Sequence, residues 1–215
     1  MLDVHPPTEP VHGWRDFLIH LATITIGLLI ALSLEGCVEW KHHRNQVHEA
    51  EAGLQIEIEA NARKLQGALR DVEREQKLLA EDVVILRKII ANPKAPNQDA
   101  LKIDFRLPTF DRVSWETAKS TGALAYMPYA SAHEYSDIYE QQEGVYQAEL
   151  QAARDAILSY APRLNMADAP SRITVDDAVL IKERTETLQA QLIMVKSMIE
   201  DLDGRYKKFL GAHPG

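Results

Sequence analysis

The sequence predicts an all-α protein: an N-terminal transmembrane helix that continues into a stalk, then a bundle of three long helices plus one short helix. Three observations carry this. An uncharged apolar run lies near the N-terminus, three later segments repeat apolar residues at alternating steps of four and three, and most prolines fall between those segments. The composition agrees. The 215 residues are 46% apolar and 26% charged, enough for a packed core, and aromatics at only 7% favour helices over sheets. Lys and Arg number 24 against 32 Asp and Glu, a net charge of −8, so the chain lacks the excess of cations with which to neutralise phosphates, and no nucleic-acid partner is expected. The one cysteine, Cys37, permits neither an internal disulfide nor a multi-cysteine zinc site.

Phe17 to Leu34 reads FLIHLATITIGLLIALSL, with His20 its only strongly polar residue. At 1.5 Å per residue the run covers about 27 Å, the thickness of a bilayer core, so a transmembrane helix is placed over 17–38 behind a tail of 1–16. Trp14 and Trp40 flank it as headgroup-level anchors, and Arg15, Lys41 and Arg44 mark the return to water. Leu34-Glu35-Gly36-Cys37 resembles a lipid-attachment signal, but Glu35 is unsuited to that position and the preceding tail is not basic. One Arg before the span and two basic residues shortly after it leave the side of the soluble part undetermined. Thr23, Gly27, Ala31 and Glu35 recur every fourth residue, a ridge of small or polar groups along which two such helices can approach closely in lipid.

Residues 39–57 are polar without a clear stripe and contain no proline, which is compatible with a helical stalk whose weakest point is Gly53. The bundle is expected over 58–211, with helices at 58–91, 112–121, 131–161 and 175–210. Its first seam is Ile58, Ala62, Leu65, Leu69, Val72, Gln76, Leu79, Val83, Leu86, Ile90, ended by Pro93. The second is Tyr135, Tyr139, Gln142, Tyr146, Leu150, Ala153, Ile157, Tyr160, starting after Pro128 and stopping at Pro162. The third is Ala178, Ile181, Thr185, Leu188, Leu192, Val195, Ile199, Leu202, Tyr206, Phe209, opened by Thr174 as N-cap and closed near Gly211. A helix with one apolar side cannot hide it alone, so the three should pack together as in up-and-down bundles. The irregular insert 92–130 holds a period-two fragment, Leu101, Ile103, Phe105, Leu107, expected to lie flat on the bundle or to pair in a dimer. It also holds the short helix, with Gly122 as its C-cap.

Two segments, Ile26-Gly27-Leu28-Leu29-Ile30-Ala31-Leu32 followed by Trp40 and Arg44, and Ser114-Trp115-Glu116-Thr117-Ala118-Lys119-Ser120-Thr121-Gly122, resemble a group of uncharacterised bacterial single-pass membrane proteins. The likeness covers about a quarter of the chain. It implies an anchor in the bacterial inner membrane followed by a helical domain, and it brings no catalytic residues. The chain departs from that pattern at Glu35, Gly36, Cys37 and Glu39.

No Gly-rich phosphate loop, G-x-S-x-G, H-E-x-x-H or EF-hand loop occurs, so no catalytic, cofactor-binding or metal-binding residues are assigned and no enzyme is expected. His42, His43 and His48 beside Glu39 have the spacing of partial metal ligands, but histidines next to a membrane commonly face water and headgroups. Trp115, Tyr135 and Tyr139 are the candidate recognition residues, with core packing as the other reading. The expected function is that of a membrane-anchored interaction or assembly protein, its partners the lipid bilayer and either further copies of itself or other membrane subunits, as in an accessory subunit of a bacterial envelope complex. The alternative is an anchored sensor binding a small ligand between helices. A polar pocket among Trp115, Tyr135, Tyr139 and His133 would favour the sensor, and an exposed apolar seam would favour assembly.

Overall fold

The computed structural model describes residues 13–94, 101–102, 105–106, 109–164 and 173–213. Among the described residues five helices follow in order: α1 (Trp14–Ala91), α2 (Val113–Ser120), α3 (Ala123–Tyr126), α4 (Tyr129–Leu164) and α5 (Val175–Ala212). The all-α class is as the periodicity predicts. The chain divides into two compact units, Met1–Glu49 and Ala50–Gly215, with α1 contributing to both.

In the first unit, α1 is long and apolar enough to cross a membrane, and the apolar window buries none of its residues in protein. Hydroxyls inside the run are satisfied by the helix itself: Thr23, Thr25 and Ser33 each donate to the carbonyl four residues back, at 2.7–2.9 Å. Such back-bonding removes the cost of placing a hydroxyl where no water reaches. Trp14 stacks on Phe17, and the Arg44 guanidinium lies 5.3 Å from the Trp40 ring centre.

In the second unit, the α5 seam is buried at all ten expected positions, from Ala178 to Phe209. That of α1 differs in detail. Ile58, Leu65, Val72, Leu79 and Leu86 are buried as expected, but the alternate rungs are Asn61, Ala68, Glu75, Asp82 and Ile89 rather than the apolar neighbours one residue on. Of those neighbours only Val83 is fully buried. Packing also begins before Ile58: Leu54 is fully buried and Glu57 nearly so, which places them in the bundle and not in a stalk. The helix passes straight through Gly53, where a Cβ would stand 3.4 Å from the Ser114 hydroxyl, an ordinary van der Waals contact.

Polar pairs fix the helix directions. Between α1 and α5 they are Gln66 with Asp203 (2.8 Å), Glu73 with Lys196 (2.8 Å) and Arg87 with Glu186 (3.2 Å), one number rising as the other falls. Gln142 with Tyr206 and Asp155 with Gln191 do the same for α4 and α5. Both neighbours therefore run antiparallel to α5, and α1 and α4 run parallel to each other. A simple up-and-down order would have alternated them. The insert makes the difference by returning along α1: Lys102 meets Asp82, Asp111 meets Asn61, and Ser114 meets Glu57. From Asp82 to Asn61 the helix climbs about 31 Å, which separates the two points at which Lys102 and Asp111 are held. Of the expected extended fragment, Leu101 packs on the cluster of Leu86, Ile89, Ala178 and Ile181. Ile103 and Leu107 lie outside the described residues.

Element ends follow local chemistry. Met127 is extended because Pro128 follows it, and α4 starts immediately afterwards. Thr174 caps α5, its hydroxyl accepting from the Asp177 amide at 3.1 Å. Gly122 adopts φ +77° and gives its N–H to the Lys119 carbonyl, ending α2 as expected, and its own carbonyl then opens α3. α4 runs past the expected stop at Pro162 to Leu164. Proline there cannot donate to the Leu158 carbonyl, and Arg184 of α5 supplies that hydrogen bond instead.

Leu79 and Leu192 are at most 1% exposed in their seams. Replacing either by Asp should cost more than about 4 kcal/mol and abolish the cooperative thermal transition seen by circular dichroism. Val84→Asp, at a position 51% exposed, should leave that transition in place.

Candidate functional site

The polar rungs of α1 hold the insert. The Glu57 carboxylate accepts from the amide of Ser114 at 2.7 Å, from the amide of Trp115 at 3.4 Å and from the Tyr139 hydroxyl at 2.6 Å. Ser114 and Trp115 are in the first turn of α2, whose own N-cap residue, Arg112, offers no side-chain bond. Glu57 therefore caps α2 from another helix, where the free amides and the helix dipole both favour a negative charge. One turn on, the Asn61 side chain donates to the Asp111 carbonyl at 2.7 Å and accepts from the Asp111 amide at 2.8 Å, pairing with the insert as a strand would. It also reaches Gln142 of α4, whose carbonyl oxygen accepts from Tyr206 of α5 at 2.9 Å. At the far end both oxygens of Asp82 accept the Lys102 amide, at 3.0 and 3.1 Å.

Two of the three candidate recognition residues belong to this clasp and the third lies close by in the core. Trp115 stacks on Tyr139 with ring centres 4.8 Å apart and planes within 7°, and Tyr135 packs on Phe209 at 5.4 Å. All three are buried, so they fill the space where a ligand pocket was considered, and His133 points outward at 61% side-chain exposure. Burial, then the Glu57 hydrogen bond, pushes the Tyr139 phenol far above the ordinary tyrosine range. Burial and the Glu57 charge do the same at Tyr206, and burial with Glu51 and Glu134 raises Tyr135 to about 12. These phenols stay neutral donors throughout the physiological range. A cavity of about 230 Å³ lies between insert and α4, lined by Thr109, Phe110, Arg112, Gln142, Glu143 and Tyr146, with Arg112 ion-paired to Glu143.

The second half of α4 departs from expectation. Tyr135, Tyr139 and Gln142 are buried as predicted, but beyond them the inward residues are Val145, Glu149, Ala152, Ala156 and Ser159. The expected Tyr146, Leu150 and Ile157 are exposed, at 38%, 38% and 69%, Ala153 is half-buried, and the Tyr160 side chain lies outside the described residues. Glu149 is 2% exposed, neither carboxylate oxygen has a hydrogen-bond partner, and burial raises it to about 8.

In the first unit Thr23, Gly27, Ala31 and Glu35 are all exposed on α1, and no atom comes within 4 Å of a Cβ placed at Gly27. His43 approaches Glu39 at 3.4 Å, and among the described residues no group of three or more His, Cys, Asp or Glu is placed to hold a metal ion. Sequence reasoning did not single out Glu57, Asn61, Asp82 or Glu149. A usable signal existed for three of the buried polar residues: Asn61, Glu75 and Asp82 stand at seven-residue multiples beside the apolar seam.

Glu57→Ala strands two amides and a phenol and should cost about 3 kcal/mol. Trp115 fluorescence should then shift red at a urea concentration below that of global helix loss. Glu149 is raised in the folded state above its ordinary value of 4.5, so its contribution is full below about pH 4.5 and is lost as pH rises towards 8. Glu149→Gln should therefore be near neutral at pH 4.5 and stabilising by a few kcal/mol, about 1.4 per pH unit crossed, at pH 8, read from urea titrations. Searches of family models, curated proteins and solved structures return no match to this chain.

Proposed function

We propose that this chain is a single-pass bacterial inner-membrane protein that acts by binding, not catalysis, and that its helical domain associates with a second copy through the outer face of α4. The observation that carries this reading is the exposed stripe Tyr146, Leu150, Ala153, Ile157. Its steps of four, three and four are those with which two helices interlock, and three of its members are large apolar residues in water.

A second copy is the occupant favoured by the anchor. Every copy inserts the same apolar helix in the same sense, which confines the domains to one plane and orients them alike, so the local concentration of the identical face is raised without any new contact. Thr23, Gly27 and Ala31 give the anchors a ridge on which to pair in lipid. In this reading the protein is an accessory subunit of an envelope complex, with the self-paired form as its building block.

Light scattering of the full chain in mild detergent should give a dimer. Ile157→Glu should bring the mass to that of one chain with helical dichroism unchanged, and Gly27→Leu should weaken the dimer at least tenfold. A wild-type monomer at tens of micromolar, or an Ile157→Glu dimer of undiminished stability, would overturn the reading.

A further inference from the structure

α4 carries two seams. The one turned inward is Val145, Glu149, Ala152, Ala156 and Ser159; the one left outside, Tyr146, Leu150, Ala153 and Ile157, runs one residue behind it throughout. One residue is about 100° of helix rotation. Both seams share Tyr135, Tyr139 and Gln142 and part only after Gln142, where the inward seam takes a step of three and the outward one a step of four. Steps of that kind are where a packed helix over- or unwinds, and Gly144 lies within this one. The inward seam is also the less suited of the two to a core, since it buries Glu149 with both oxygens unpaired while Leu150 and Ile157 face out.

We propose that the second half of α4 has two rotational registers about Gly144, and that the second register turns Tyr146, Leu150, Ala153 and Ile157 inward while releasing Glu149 to water. The inference rests on reading the outer stripe as the docking face: the second register withdraws that face, so rotation of α4 sets whether two copies associate.

The surroundings of Glu149 give the rotation its bias. Seven residues on from the Asn61–Gln142 and Gln142–Tyr206 pairs, it stands level with Ala68 of α1 and Ile199 of α5, both buried and apolar. Charged groups near that level are paired at the surface: Lys196 with Glu73 and Glu200, Arg74 with Asp71, and Lys207 with Asp203. Glu75 of α1, itself buried, is one heptad from Ala68 and is a second carboxyl, not a cation. The protonated carboxyl can remain inside and the ionised one is better accommodated outside, so the second register gains as pH rises from about 4.5 towards 8. On α1, by contrast, Glu57, Asn61 and Asp82 have the insert to hold, and nothing favours turning them out.

The test uses the full chain with Cys37→Ser, in detergent, at a dilution where light scattering gives one chain per particle. Maleimide labelling rates are compared for Ile157→Cys and Ala156→Cys, and again for Ala153→Cys and Ala152→Cys in case one substitution disturbs folding. Taking each pair as a ratio cancels the thiol's own pH dependence. The outward residue should label faster at pH 5.5, and the ratio should fall by about tenfold or more by pH 8.5. Adding Glu149→Gln, which keeps the shape and removes the ionisation, should hold the ratio at its pH 5.5 value. A ratio independent of pH in both pairs, an equal fall with Glu149→Gln present, or a fall accompanied by loss of helical dichroism would overturn the proposal. Failure of the dimer reading is seen separately, because docking protects position 157 as protein concentration rises at fixed pH.

Discussion

The grip of α1 on the returning insert is the constraint on which the rest of the bundle depends. Because α1 and α4 run in the same direction, the chain must return along the bundle between them, and on the way it meets α1 at Asp82, Asn61 and Glu57. The amides of Lys102, Asp111 and Ser114 have no ladder to join, and leaving them unmet in a partly buried place would carry a desolvation cost. Asp82, Asn61 and Glu57 meet that demand at the described ends of the path, one with two carboxylate oxygens, one as a two-way amide, one as a cap. The polar seam of α1 is therefore a second backbone partner made of side chains.

That constraint also explains which parts of the fold were legible in the sequence. α5 packs only through its stripe, its cap is the Thr174 hydroxyl, and all ten seam positions are read correctly from spacing. α1 has two jobs. An apolar criterion chooses Ala62, Leu69 and Gln76 over Asn61, Ala68 and Glu75, yet the insert requires Asn61 to face it, and a one-residue change of rung follows. The stalk was misjudged at its upper end for the same reason, since Glu57 reads as a solvent residue until its three donors are known. Directions of helices were not readable, because nothing in the periodicity says that Lys102 and Asp111 are held by α1 residues three heptads apart.

Specificity follows from the same groups. Three apolar stripes can slide or rotate past one another with little loss, whereas Tyr206, Gln142, Asn61 and Asp111 form a chain of hydrogen bonds through all three long helices and the insert. A slip by one heptad would unpair every member in a site of low dielectric, so the network selects one alignment even where it adds little net stability. Beyond Gln142 the apolar criterion and the observed packing of α4 part company.

The first unit follows a different pattern, its helix long and apolar enough to cross a membrane. Phe17, Ile19, Ile24, Leu28, Leu34 and Val38 are 50–71% exposed in the isolated chain, on every side of the helix. A stripe would call for a protein partner on one side, whereas a run that is apolar all round has the composition of a helix able to cross a membrane. The hydroxyls of Thr23, Thr25 and Ser33, already bonded to their own helix, fit such a run, as do Trp14 and Trp40 at its borders. Up to Val38 α1 is apolar on every side, and from Leu54 it buries one side in the bundle, so one helix obeys two patterns along its length.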